Sequence, residues 1–249
     1  MNEANQSKIE SLLDKRIDLT VVSETVSTSD DLKAAARAGA PNYTAIIAKR
    51  QLGGRGREGR RFFSEGGLYL SVLLPWRADS APYVTEIAAI AVAHAIRETA
   101  RVTPTIKWVN DLYVNGKKVC GILAESVIVG KERRIVVGIG VNAGVPEGTF
   151  PDELKEIAGS VTCDKNLLAA AIINKLLALL DDFSVENVRK DYRELCFPIG
   201  TRLTVVKENA AEREATAQGL DDALGLIVEY DDGTRETLIS GEVRIKAVL

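Results

Sequence analysis

Residues 105–142 read TIKWVNDLYVNGKKVCGILAESVIVGKERRIVVGIGVN. Three β-rich runs follow one another there: Thr105–Val109, Leu112–Val127 and Arg134–Asn142. Asn115-Gly116 interrupts the second run and is the strongest two-residue hairpin signal a sequence can carry. Gly130 marks another turn before the third run. Tight turns join antiparallel neighbours, whereas parallel strands need long crossovers. The stretch therefore argues against regular βαβ alternation and for an α+β sheet with antiparallel parts.

Outward from this stretch the pattern alternates between helix and strand. Upstream, residues 5–17 predict a short amphipathic helix with Ile9, Leu12, Leu13 and Ile17 on one face. Strands are predicted at Leu19–Val22, Thr44–Ala48 and Leu68–Leu74, the last stopped by Pro75. Ser27-Thr28-Ser29-Asp30 is a cap-type cluster ahead of an Ala-rich helix over Asp31–Ala40, ended by Gly39 and Pro41. The longest helical periodicities are Tyr83–Arg101 and Asn166–Phe183. Pro198-Ile199-Gly200 reads as a boundary between a large unit, 1–197, and a small one, 198–249. Short runs at Arg202–Val206, Ala215–Leu220, Leu226–Tyr230 and Thr234–Ile239, with Asp231-Asp232-Gly233 as a turn, predict a small β-barrel there.

Composition removes several classes of function. The chain has 249 residues, 32 Lys+Arg against 35 Asp+Glu, and a formal net charge of -3. That balance argues against general nucleic-acid binding, whose strength scales with phosphates neutralised by Lys and Arg. No apolar run approaches the roughly 18 residues of a membrane span. The polar, acidic start Met1-Asn2-Glu3-Ala4-Asn5-Gln6 has no secretory signal character, so a cytoplasmic location is expected. Cys120, Cys163 and Cys196 lie far apart and form no CxxC pair, against a disulfide framework or zinc site. His94 is the single histidine, which excludes multi-histidine metal centres and disfavours a Ser-His-Asp triad. The chemistry is expected to run on Arg, Lys, Asn and Asp.

The most unusual segment is Gln51-Leu52-Gly53-Gly54-Arg55-Gly56-Arg57-Glu58-Gly59-Arg60-Arg61, with four glycines and four arginines in eleven residues. Glycine lets backbone approach a ligand closely, and arginine offers a planar fork for phosphate or carboxylate. Together they describe an anion cradle. Gly54-x-Gly56-x-x-Gly59 formally matches the dinucleotide fingerprint, but a strand follows where that motif needs a helix. The Lys-Ser/Thr of a P-loop and the strand-borne lysine of a kinase are also missing. The plainer alternative is a solvated basic surface loop. Lys107-Trp108-Val109-Asn110-Asp111 and Lys118 with Gly121 form a second cluster, fit for ATP, a metal and an acyl carboxylate, although a strand lysine taken singly more often serves to discourage edge pairing. Gly138-Ile139-Gly140-Val141-Asn142 is a third, weaker cluster.

In this order the clusters resemble the biotin protein ligases. The resemblance rests on Ser27-Thr28, the Gly54–Arg61 run, Lys107-Trp108-x-Asn110-Asp111, Lys118-x-x-Gly121-Ile122-Leu123 and Gly138-x-Gly140-x-Asn142. It implies a class II synthetase-like mixed sheet flanked by helices, with an SH3-like β-barrel at the C-terminus. It implies an ATP-dependent ligase that makes biotinyl-5'-AMP and passes biotin to a lysine of the biotin carboxyl carrier domain of an acyl-CoA or pyruvate carboxylase. Ser27, Thr28, Ser29, Gln51, Gly54, Arg55, Gly56, Arg57, Lys118 and Gly121 are the implied biotin contacts. Arg55, Arg57, Arg60, Phe62, Lys107, Asn110 and Asn142 are implied for the nucleotide. Arg55, Arg57 and Lys118 are implied to be catalytic, with Asp111 to orient or deprotonate the incoming lysine. Magnesium would travel on the phosphates of ATP rather than in a protein cage.

Three positions depart from the family's usual pattern: Ser29 for asparagine, Val109 for proline and Phe62 for tryptophan. Fewer than 20 residues precede the first predicted strand, too few for a helix-turn-helix, so no operator-binding repressor role and no DNA partner are expected. Family members dimerise through sheet edges, and the sequence shows no unambiguous seam. The rival readings are a lipoate or octanoyl transferase, expected to lack the arginine-glycine run, and a non-catalytic sensor, which would not need so many phosphate-facing cations. Residues 53–61 are expected to be mobile without ligand and to order over the adenylate.

Overall fold

The structure is a computed structural model that describes residues 3–15, 17–60, 62–63, 65–146, 148–197, 199–207, 211–239 and 242–245. Arg61 of the loop and Pro198 of the boundary lie outside the described residues. The chain carries β1 (Asp18–Thr25), β2 (Thr44–Gln51), β3 (Glu65–Pro75), β4 (Thr105–Lys107), β5 (Asp111–Val114), β6 (Lys117–Val129) and β7 (Glu132–Val141) in a seven-stranded sheet of order β1-β2-β3-β7-β6-β5-β4. Only the β1–β2 pair is parallel. The remaining pairs are antiparallel, so the sheet is mixed, as the hairpin signals predict.

Helix α1 (Gln6–Glu10) is capped by the Asn5 side chain and ends well short of the 5–17 span read from periodicity. Ile17 instead begins the approach to β1, and five residues suffice to bury Ile9 completely. Helix α2 (Thr28–Arg37) is capped by Ser27, as expected of the cap cluster. Helices α3 (Val84–Ala100) and α4 (Lys165–Asp181) pack on one another and are buried nearly all round. Helix α5 (Val185–Leu195) has no counterpart in the sequence reading. Its sequence VENVRKDYREL is mostly charged and buries only Val188 and Tyr192.

The two faces of the large sheet bury different sets of side chains, because strand residues alternate. Leu68, Leu70, Val72 and Leu74 of β3 join Ile135, Val137, Ile139 and Val141 of β7 in the main core with α3 and α4. On the opposite face, Leu73, Val136 and Val127 meet Leu32 and Ala36 of α2 in a second, smaller cluster. Further along that same face the side chains shrink to Gly138, Gly140 and Gly121, and Ser29 in the first turn of α2 lies over Gly138.

A second, five-stranded antiparallel sheet holds β8 (Arg202–Val206), β9 (Arg213–Leu220), β10 (Leu226–Tyr230), β11 (Arg235–Leu238) and β12 (Glu242–Ile245), in the order β11-β10-β9-β8-β12. Strand β12 is not among the sequence-predicted runs. Leu203, Ala215, Leu226 and Val243 of this sheet belong to the same continuous apolar cluster as the main core.

Glu86 is the exception inside α3. It is 8% exposed, and its Oε2 has no partner among the described residues. Burial pushes its carboxyl up to about 7. Because folding raises this pKa above its ordinary value of 4.5, the native state holds the proton more tightly than the unfolded chain. The contribution to stability is therefore complete below the unfolded pKa and is lost as pH rises through about 7. Glu86→Gln should leave urea stability unchanged at pH 4 and raise it by about 2–3 kcal/mol at pH 8. Equal stability of the two proteins at pH 8 would show that the carboxylate finds compensation on ionising.

Candidate active site

This glycine-lined part of the sheet face is the floor of a cavity of about 290 Å³. Strand register places one residue from each of five strands in a single transverse row. Lys107 of β4 pairs with Asp111 of β5, Asp111 with Gly121 of β6, Gly121 with Gly140 of β7, and Gly140 with Tyr69 of β3. All five line the cavity. The row runs from a charged end, across bare backbone, to an aromatic end. A Cβ at Gly140 would stand 2.5 Å from the Phe62 ring, and one at Gly121 3.1 Å from it. The absent side chains are what let that ring lie over the floor, edge-on to Tyr69 at 6.4 Å between centroids.

Lys118 reaches the charged end through an irregularity in the β5–β6 hairpin. The register shifts between Leu112 and Tyr113, so that Cys120 and Lys118 face consecutive residues of β5. A bulge of this kind re-aims a side chain. The Lys118 backbone is held on its other edge, its N–H donating to Ile157 O and its carbonyl accepting from Gly159 N, both at 2.8 Å. Its ammonium lies 2.7 Å from Asp111 Oδ1, with the two side chains 32% and 18% exposed. Lys107 stands 5.6 Å from the Tyr113 ring centroid.

The arginine-glycine loop roofs the cavity. Gly54 O accepts from Phe62 N at 2.8 Å and Gly56 N donates to Arg60 O at 2.7 Å, closing the loop on itself around a 3-10 turn at Arg57–Gly59. Its two inner arginines fasten it to opposite walls. Arg55 pairs with Asp30 in the first turn of α2, and Arg57 Nη1 donates to Asn110 Oδ1 at 3.2 Å. The expected mobility of residues 53–61 has to work against these two bonds. Asn110 is itself clamped to β6, its Nδ2 donating to Ile122 O at 2.8 Å. The Trp108–Val109 peptide just before it is cis.

Ser27, Thr28, Ser29 and Gln51 form the far wall. Gln51 Oε1 accepts from Thr28 N at 2.9 Å and from Thr28 Oγ1 at 3.0 Å. Behind them is Ser71, fully buried and absent from the sequence reading. Its hydroxyl lies 2.8 Å from Thr28 Oγ1 and 3.0 Å from Ser29 Oγ. Asn142 is buried, with its Nδ2 donating to Gly159 O at 3.0 Å, while its Oδ1 has no partner among the described residues.

Every site residue anticipated from the sequence lines this cavity except Gly54, which is buried and whose carbonyl is spent inside the loop. The sequence reading missed the hydrophobic rim of Phe150, Leu154 and Ile157, and the contribution of Val243 from β12. The small sheet is joined to the site by Trp108 Nε1, which donates to Leu224 O at 3.0 Å. His94 is not among the residues that line the cavity. Among the described residues no three His, Cys, Asp or Glu side chains are placed to hold a metal ion.

Residues 22–142 match the Biotin/lipoate A/B protein ligase family. The chain is 32% identical over 232 residues to the bifunctional ligase/repressor BirA of Bacillus subtilis, across 87% of this chain and 70% of that protein. The chain belongs to the biotin protein ligases of that family. It is 29% identical to the biotin--[acetyl-CoA-carboxylase] ligase of Mycobacterium tuberculosis, over 89% of this chain and 86% of that one. Among solved structures it is similar to the biotin protein ligase from Aquifex aeolicus in complex with biotin and ATP. That match has a TM-score of 0.76 and 25% identity, and covers 92% of this chain and 98% of the other. The glycine floor and the arginine roof described above are thus features of a biotin protein ligase.

Proposed function

We propose that the cavity joins the biotin carboxylate to the α-phosphate of ATP and then hands the acyl group to a lysine amine. A carboxylate oxygen bonds to the α-phosphorus as pyrophosphate leaves, giving biotinyl-5'-AMP. The carrier lysine nitrogen then bonds to the acyl carbon, losing a proton as AMP leaves, and an amide results. Both anions must be brought together, so the first step needs fixed positive charge and exclusion of water more than a covalent nucleophile. The observation that carries this reading is the slot itself: Lys107, Lys118, Arg55, Arg57 and Arg60 surround a bare glycine floor, with Asp111 the one carboxylate among the described lining residues.

In this reading Ser27, Thr28, Ser29, Gln51 and Gly121 hold the vitamin, and Arg55, Gly56, Arg57 and Lys118 hold its carboxylate and the phosphate. Arg60, Phe62, Lys107 and Asn110 border the nucleotide. The unpartnered Asn142 Oδ1 accepts an N–H of the base, which removes the cost of a buried orphan oxygen. Asp111 orients the incoming amine only when Lys118 turns from it to the substrate oxygens. Magnesium is carried by the nucleotide. The small sheet is read as an SH3-like barrel beginning at residue 198, with Val243 completing the wall of the site. The acceptor is the biotin carboxyl carrier domain of an acyl-CoA or pyruvate carboxylase, met in the cytoplasm.

The test is transfer of labelled biotin to a purified carrier domain, with ATP present or withheld and lipoate as competitor. Transfer that requires ATP and ignores lipoate is expected. Activation of lipoate with no turnover of biotin would overturn the reading.

A further inference from the structure

We propose that Ser71, which does not line the cavity, is a positioning residue that makes Ser29 an obligate hydrogen-bond acceptor toward the ligand's ring. The inference rests on the biotin reading and follows from counting protons along four side chains. A backbone N–H cannot accept, so the Gln51 atom 2.9 Å from Thr28 N is its carbonyl oxygen. That oxygen cannot donate, so the Thr28 hydroxyl proton is spent on it at 3.0 Å. Thr28 Oγ1 must then accept from Ser71, 2.8 Å away. The single proton of Ser71 is now used, so the 3.0 Å contact with Ser29 is donated by Ser29.

The chain of protons runs from Ser29 through Ser71 and Thr28 to Gln51, and only lone pairs of Ser29 are left to face the ligand. Ser29 Oγ stands over the floor, 2.5 Å from where a Cβ at Gly138 would be, so the missing side chain of Gly138 makes room for it. Ser27 has the opposite polarity. Its Oγ accepts from Asp30 N at 3.3 Å, and its proton remains for an acceptor on the ligand. One wall therefore offers a donor and an acceptor two residues apart, which is the complement of a cyclic urea's C=O and N–H.

The experiment compares biotin with two cyclic-carbamate analogues, each with one ring N–H replaced by oxygen, in ATP-dependent adenylate formation. In the unsubstituted enzyme the less favoured analogue should have a KM about 100-fold above that of biotin, because two lone pairs then face each other. Ser71→Ala frees the Ser29 hydroxyl to turn and donate. The KM for biotin should rise about tenfold with kcat and the KM for ATP unchanged, and discrimination against the analogue should fall below tenfold. Loss of biotin and analogue in equal proportion, with the ratio kept near 100, would overturn the proposal and leave Ser71 as packing. Ser29→Ala supplies the same test without touching the buried strand: retained discrimination in that variant also overturns it. Absence of any biotin turnover by the unsubstituted enzyme would instead refute the biotin reading itself.

Discussion

Lys118→Ala is expected to slow adenylate formation by about 10²–10³-fold while leaving binding of the carrier domain nearly intact. The size of the effect follows from what the substitution leaves behind. Lys118 is the cation 2.7 Å from Asp111, and Asp111 sits in the transverse row that forms the floor. Removing the ammonium withdraws attraction from two approaching anions and also strands a third negative charge beside them. The backbone of Lys118 is bonded to Ile157 and Gly159 on the edge away from β5, so alanine should keep the strand in place and isolate the electrostatic effect. Because the loss has two parts, Lys118→Ala combined with Asp111→Asn should recover about tenfold of the single variant's rate. Single-turnover release of pyrophosphate measures both. An unchanged rate in the single variant would mean that Lys118 only braces the hairpin.

Arg57→Ala should lower kcat/KM for adenylate formation by about 10²-fold, well beyond the loss from Arg55→Ala. The two arginines differ in surroundings. Arg55 is 54% exposed and paired with Asp30 at the mouth, where solvent screens its charge. Arg57 is half-buried and bonded to Asn110, which is in turn clamped to β6. Its loss should remove both a phosphate-facing charge and the bond that fastens the roof to the β5 side. Limited proteolysis within residues 53–60 should accordingly be faster in Arg57→Ala without ligands, and biotin with ATP should protect it less than the unsubstituted enzyme. Arg57→Lys should rescue poorly, since a point charge cannot serve an amide oxygen and a phosphate with one planar fork. Equal activity of the Arg55 and Arg57 variants would contradict this division of roles.

Much of this arrangement was legible along the chain. Asn115-Gly116 marks the β5–β6 hairpin because a type I′ two-residue turn demands positive φ at both positions, and both residues show it. Ser27-Thr28-Ser29-Asp30 reads as a cap cluster before a helix from Asp31; Ser27 is the cap, and the helix already starts at Thr28 and ends at Arg37. The arginine-glycine loop stands out by composition, and its Arg55, Gly56, Arg57 and Arg60 line the cavity. Helix α5 was not legible, since a helix that buries only Val188 and Tyr192 carries little apolar periodicity. Helix α1 was read too long, because Leu12, Leu13 and Ile17 continue the apolar spacing after the backbone has left the helix. Ser71 gave no signal at all: one serine in an apolar strand is ordinary until its neighbours are known.

The residue types proposed to do the chemistry were determined locally: cations in a glycine-rich loop, a lysine after a tight turn, an asparagine after alternating glycines. These are short-range properties, set by backbone conformation and side-chain chemistry within a few positions. What only the tertiary structure decided is the row that carries Lys107, Asp111, Gly121, Gly140 and Tyr69 across five strands, and the hydroxyl path behind it. Register between strands depends on which faces are buried and where a bulge falls, and a shift of one residue would send every one of these side chains to the opposite face. The pairing of Gly121 with Gly140, and so the floor of the cavity, exists only once the whole sheet has formed.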